Sequence, residues 1–184
     1  MAITAAVRSQ PLPAPFVTAA RRVDVLTEAV ITVETDEGIS GCCGAPDTAA
    51  VTGDTPGSAV YAAEHIFAPL LVGRELTADV SECCEKALYG NPGAKAALDV
   101  AVHRALAASR GVPLCALLGG RPHELTTDLT ISAGAPSDVA SRAADAYANG
   151  FPILKIKLGT DIEADLQTLR ELKAALPPDA CLRL

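Results

Sequence analysis

Between Thr127 and Leu184 the chain alternates strand-like and helix-like segments, and this alternation limits its fold more than any other feature. The predicted strand Thr127–Ser132 precedes a helical stretch, Pro136–Asn149, with Gly150 placed to close it just past the C-cap. The predicted strand Ile153–Leu158 precedes a second helical stretch, Asp161–Leu176. Thr160-Asp161-Ile162-Glu163 reads as its capping box, Leu166, Leu169, Leu172 and Leu176 as its buried stripe, and Pro177-Pro178 as its stop. A third strand begins at Cys181. Strands and helices alternating at this spacing build a parallel sheet with helices along it. Three such strands alone would leave apolar faces and an unpaired edge. The expectation is therefore the first part of a larger β/α barrel, from a longer or a truncated gene product.

The upstream part has a different grammar. Thr27–Thr35 alternates around Val30, Ile31 and Val33, Asp36-Glu37-Gly38 makes a turn, and Ile39–Gly44 returns, which predicts a hairpin. Thr55 followed by Pro56 starts a helix as N-cap and first residue, with Val60, Ala63, Ile66 and Phe67 at helical spacing. A second helix is predicted over Thr77–Leu88, stopping at Gly90-Asn91-Pro92-Gly93. A third spans Ala94–Ser109, apolar around most of its circumference, and closes at Gly111. Strands followed by helices make this an α+β unit. The predicted organisation is an α+β capping domain over 1–118 and the start of a β/α barrel over 119–184.

Composition excludes several function classes. A net charge of −7 lacks the basic footprint that nucleic acid requires. No run approaches the roughly 18 apolar residues of a membrane span, and Met1–Pro15 has no signal-peptide core, so a cytoplasmic location is expected. The six cysteines include two adjacent pairs, Cys42-Cys43 and Cys83-Cys84, and none has zinc-site spacing. They read as small free thiols. His65, His103 and His123 lie far apart and read as structural or surface residues.

The chemistry concentrates in Lys155-Ile156-Lys157. Strand side chains alternate faces, so both lysines share one face with Ile153, about 6.5 Å apart at Cα, while Leu154, Ile156 and Leu158 fill the other. On an open face both ammonium groups are simply solvated. Inside a closed barrel, desolvation and mutual repulsion both disfavour the charged forms, and one lysine becomes able to take a proton. Barrel active sites lie at the C-terminal strand ends, where Lys157 falls.

Thr127-Asp128-Leu129-Thr130-Ile131-Ser132, Gly150-Phe151 and Leu154-Lys155-Ile156-Lys157-Leu158-Gly159 together resemble the mandelate racemase/muconate-lactonizing branch of the enolase superfamily. Within it the chain is most similar to the dipeptide epimerases, typified by L-Ala-D/L-Glu epimerase. Further stretches that carry the resemblance are Val51–Thr55, Ala94–Asp99, Gly111–Leu114, Leu117–Gly120, and Pro15–Ala19 with Arg21. It implies a capping domain followed by a modified β/α barrel, and an isomerase that moves a proton α to a carboxylate with Mg²⁺ stabilising the enediolate. Lysine or histidine bases with magnesium are the general pattern of such sites. By the same resemblance Lys157 is an acid/base catalyst, and Lys155 assists it electrostatically and contacts the substrate carboxylate. Thr130 contacts substrate, and Arg21 pairs with a substrate side-chain carboxylate through two parallel hydrogen bonds. An ordinary surface role is the alternative for Arg21, beside Arg22.

The resemblance places the metal-binding carboxylates beyond Leu184, so no metal ligand is expected within this chain, and residues 1–184 alone are expected to be inactive. The implied partner is a small-molecule substrate, a dipeptide or other carboxylate, without nucleic acid or membrane. Relatives of this kind are often homo-oligomeric. Gly41-Cys42-Cys43-Gly44-Ala45 stands where they usually have Gly-Trp-Gly-Glu-Ala, which implies altered packing near the cap. A muconate cycloisomerase or o-succinylbenzoate synthase-like activity, and a non-catalytic remnant or half-barrel, are the alternative readings.

Overall fold

The computed structural model describes residues 1–159 and 161–184, Ser81 by its backbone alone; Thr160, the expected start of a capping box, falls outside them. The chain forms two compact units, Met1–Gln10 with Leu26–His123, and Pro11–Val25 with Glu124–Leu184. This division falls at 123/124, whereas the sequence suggested 118/119, and it groups the outer part of an N-terminal hairpin with the second unit.

Three strands open the chain: β1 (Ala2–Val17), β2 (Arg22–Glu34) and β3 (Ser40–Pro46), in the spatial order β1-β2-β3. The β2–β3 hairpin is the predicted one, with Glu34 opposite Ser40. Gly38 turns it at φ 76° and donates its N–H to the Thr35 carbonyl at 3.0 Å. Sequence reasoning assigned no strand to β1, which contains Pro11, Pro13 and Pro15. Its position at the sheet edge explains how they are tolerated, since an edge strand needs donors on one side only.

The helices of the first unit follow. After α1 (Ala49–Thr52), helix α2 (Pro56–Tyr61) continues through a π-helical turn (Ala62–Phe67) into α3 (Ala68–Leu71). Thr55 caps α2 as expected: its hydroxyl accepts from the Ser58 N–H, and Ser58 reciprocates to the Thr55 N–H. Helix α4 (Val80–Ala87) is shorter than predicted at both ends, starting three residues later and stopping before Leu88, which is extended at φ −145° and ψ 129°. Helix α5 (Pro92–Ser109) starts two residues before Ala94, Pro92 taking the first position after a left-handed Asn91. It closes where expected. The Gly111 N–H bonds to Ala108 O and the Val112 N–H to Ala107 O, both at 3.1 Å, with Gly111 at φ 64°. A short α6 (Leu114–Leu117) ends this part.

The core of the first unit lies between sheet and α5. Ala29, Ile31 and Val33, alternate residues of β2, are buried with Ala97, Leu98, Ala101 and Val102 of α5, and with Phe67 and Leu71. Strand β3 lies so close to α5 that a Cβ on Gly41 would fall 2.1 Å from Ala101 O and 2.5 Å from Ala105 N. Only glycine on the strand, facing alanines on the helix, allows that approach. Asp54 is a buried carboxylate in this unit, accepting from the Gly93 N–H at 3.0 Å and the Thr52 hydroxyl at 3.1 Å. It thereby satisfies a free donor in the first turn of α5, which Asn91 leaves without a side-chain cap.

The second unit contains β4 (Leu129–Ile131), α7 (Pro136–Ala148), β5 (Ile153–Ile156), α8 (Ile162–Ala175) and β6 (Cys181–Arg183). The strands are parallel in the order β4-β5-β6, as the alternation predicted. Helix α7 ends as expected at Gly150 (φ 91°), whose N–H bonds to Tyr147 O while Phe151 N–H bonds to Ala146 O. Two corrections concern α8. Its N-cap is Asp161, whose carboxylate accepts from the Ala164 N–H at 3.0 Å. Its stripe is narrower than the leucine spacing suggested: Leu172 is fully buried, Leu169 and Leu176 are half-buried, and Leu166 is 39% exposed. Thr168 takes the buried position instead, satisfying its hydroxyl on the Ala164 carbonyl at 2.8 Å. Leu154 and Ile156 pack with Ile131, Val139, Ala143 and Leu172, so one face of the parallel sheet is covered by helices. Among the described residues no helix is long and apolar enough to cross a membrane.

Candidate functional site

The central strand β5 has the face alternation that its sequence predicts. Leu154 and Ile156 are buried, and Lys155 on the opposite face is exposed. The regular strand is shorter than expected and ends at Ile156, so Lys157 stands one residue past it. Its backbone still follows the ladder, with the Lys157 N–H donating to the Ile131 carbonyl at 3.1 Å. Lys157 is half-buried. The pair therefore sits at the C-terminal end of the central parallel strand, where barrel enzymes place their chemistry.

Register puts neighbours beside them. Thr130 of β4 lies opposite Lys155, and Lys155 lies opposite Arg183 of β6. Adjacent strands are about 4.8 Å apart, so Thr130, Lys155 and Arg183 form one row across the sheet. Neither lysine makes an ion pair among the described residues, whereas Arg183 pairs with Asp128 at 2.7 Å. Two unpaired ammonium groups with a hydroxyl alongside suit a ligand carboxylate.

Arg21 lies in the turn between β1 and β2, within the second unit. Thr18 fixes this turn. Its N–H donates to Arg21 O at 2.9 Å, and its hydroxyl accepts from the Arg21 N–H at 3.2 Å. The turn is tied to the barrel strands: the Ala133 N–H donates to Val17 O at 3.0 Å, and Ala19 borders Gly159, two residues after Lys157. The two adjacent arginines differ. Arg22 grips Asp24 through Nε and Nη2, a hydrogen bond and charge pair that lower the Asp24 carboxyl and raise the guanidinium from their ordinary values. The Arg21 side chain has no such partner among the described residues and is half-buried.

Two features of the site were not found from sequence. Arg183 and Asp128 become neighbours of the lysines only through strand register, which no local pattern discloses. A cleft of about 1010 Å³ lies elsewhere, in the first unit between α4 and α5, where Tyr89, Lys95 and Asp99 line it. Cys84 beside it is buried, which pushes its thiol up to about 11, so it is no nucleophile. All six cysteines are free thiols. Among the described residues no group of three or more His, Cys, Asp or Glu side chains could hold a metal ion. Among the described residues none forms a magnesium site.

An α+β unit followed by a parallel sheet with a charged strand-end pair is the order of a capping domain and the start of a β/α barrel. The family model described as mandelate racemase / muconate lactonizing enzyme, N-terminal domain, matches residues 2–119, and the chain belongs to this family. Its similarity to the L-Ala-D/L-Glu epimerase of Clostridium acetobutylicum is 34% identity over 178 residues, 96% of this chain and 50% of that protein. The structure of the substrate-liganded L-Ala-D/L-Glu epimerase from Bacillus subtilis superposes with a TM-score of 0.94 at 34% identity, covering 99% of this chain and 52% of that one. A dipeptide epimerase from Enterococcus faecalis V583, complexed with Mg and L-Leu-L-Tyr, gives 0.91 at 30% identity, with 100% and 53% covered. The chain thus spans about half the length of the relatives it matches. Its fold is the family's α+β capping domain followed by the first strands and helices of the modified β/α barrel.

Proposed function

We propose that this chain works as part of a dipeptide epimerase-type isomerase, a cytoplasmic enzyme that inverts the carbon α to a carboxylate by 1,1-proton transfer. The observation that carries the reading is the placement of Lys155 and Lys157 at the end of the central parallel strand, without acidic partners of their own. In this reading Lys157 takes the α-proton from one face of the substrate. Lys155 holds the substrate carboxylate and adds positive charge where negative charge develops. Thr130, level with Lys155, donates or accepts one hydrogen bond to the substrate. Arg21, fixed by its turn and unpaired among the described residues, takes a side-chain carboxylate in two parallel hydrogen bonds. Residues 1–118 act as the cap. The family resemblance supports Mg²⁺ as the cofactor that stabilises the enediolate and homo-oligomers as the assembled form.

The test is α-proton exchange into dipeptide epimers in D₂O, followed by NMR, with the intact enzyme that carries this chain. Lys157→Ala should slow abstraction from one epimer by about 10²- to 10⁴-fold, the range of a general base, while exchange from the opposite epimer survives. Wild-type exchange from both epimers in that variant would show the lysines to be structural.

A further inference from the structure

The ion pair between Asp128 and Arg183 joins the two outer strands of the parallel sheet across the central one. Asp128 immediately precedes β4 and stands level with Ile153, because Leu129 lies opposite Leu154. Arg183 is on β6, level with Lys155. Strands β4 and β6 are about 9.6 Å apart, twice the usual strand spacing. To bond Asp128 Oδ2 at 2.7 Å, Nη1 of Arg183 must therefore slant back across β5 on the face that carries Lys155. The Asp128 side chain is the less exposed partner, at 24% against 60% for Arg183.

We propose that Asp128 and Arg183 are a positioning pair for the lysine site: a charge-neutral strap beneath Lys155 that fixes the balance of charge the two lysines feel. This builds on reading the lysines as the proton-transfer face, and names residues that act through them without touching substrate. The charges around this face support the assignment. β4 contributes Asp128 and β6 contributes Arg183. From α8, Asp165 is engaged by the Gly159 N–H at 2.8 Å. Among the described residues Asp128 is a carboxylate on the sheet face that carries Lys155, and Arg183 keeps it occupied. Without Arg183 that carboxylate would be free to hold an ammonium group in its charged, unreactive form. Without Asp128 an unpaired guanidinium would stand in the lysines' row and favour the neutral amine.

The strap makes predictions of opposite sign for its two halves. Trace acylation of the full chain with acetic anhydride, read by mass spectrometry against Lys173, reports the neutral amine at Lys155 and Lys157. Arg183→Met should slow their labelling by about two- to threefold, and Asp128→Asn should speed it by a similar factor, for unit charges some 8 Å away in a largely aqueous setting. Arg183→Lys keeps the charge and should stay within that factor of wild type. The double variant, D128N/R183M, removes both charges and should return close to wild-type labelling even if the sheet is somewhat weakened. Shifts of the same sign in both single variants, or no shift in either, would overturn the proposal and leave the pair as a tie between strands. The labelling does not use turnover, so it can succeed while the epimerase reading fails, and the reverse.

Discussion

The two sheets of this molecule are built to opposite specifications. In the first unit the sheet is pressed onto α5 through residues with almost no side chain, Gly41 against Ala101 and Ala105. In the second, one face is packed by Val139, Ala143 and Leu172 from the helices, while on the other face Lys155 and Arg183 stand exposed. The first sheet is a scaffold, in which space is the constrained quantity. The second is a platform, in which charge is. A substitution should therefore act through sterics in one and through electrostatics in the other.

The sharpest way to break that contrast is Gly41→Val. The added atoms meet backbone that cannot move aside, so stability should fall by about 3 kcal/mol or more, measured by urea denaturation. A loss below about 1 kcal/mol would mean that β3 can separate from α5 cheaply. Hydrogen exchange sharpens the comparison without mutation. Amides of Pro92–Ser109, inside the tight core, should exchange more slowly than those of β4 and β6, which are strands of three residues at the edges of their sheet. Equal protection in both regions would remove the distinction.

The smallest expected effect is at Cys84. Burial favours its neutral thiol, lifting it from 9.0 to about 11. Below about pH 9 the folded and unfolded chains both keep that proton, and the burial term is fully present. Between about 9 and 11 the unfolded chain releases it and the folded chain does not, so stability drains away as pH rises through that window. Cys84→Ala should flatten the decline, seen as a smaller drop in thermal midpoint between pH 9 and 10.5. An unchanged slope would mean that the thiol is reachable by water.

What the sequence disclosed follows the same division. The α/β alternation was legible because its signals are local: Gly150 past α7 and prolines after α8. The lysine face was legible because strand alternation is local too. Arg183 and Asp128 were not, since their meeting depends on the register of three strands whose partners are 55 positions apart. Leu166 was misassigned because helical spacing gives a stripe but not its width, and Thr168 met the buried position with a hydrogen bond. Strand β1 was hidden by Pro11, Pro13 and Pro15, residues that ordinarily argue against a strand.

Those three prolines do more than hide a strand. In an extended chain every second N–H points the same way, so residues 11, 13, 15 and 17 address one side of β1. Thr18, of opposite parity, pairs with Arg21 across the turn toward β2, and Val17 turns its carbonyl outward to Ala133. The donors that proline deletes are thus all on the outer margin, and inward pairing loses none. A stray strand arriving at that margin finds three consecutive docking points mute. Strand β6 bounds its own sheet with Cys181, Leu182 and Arg183 and has no proline among them. The molecule therefore has one border closed to strangers by its backbone chemistry.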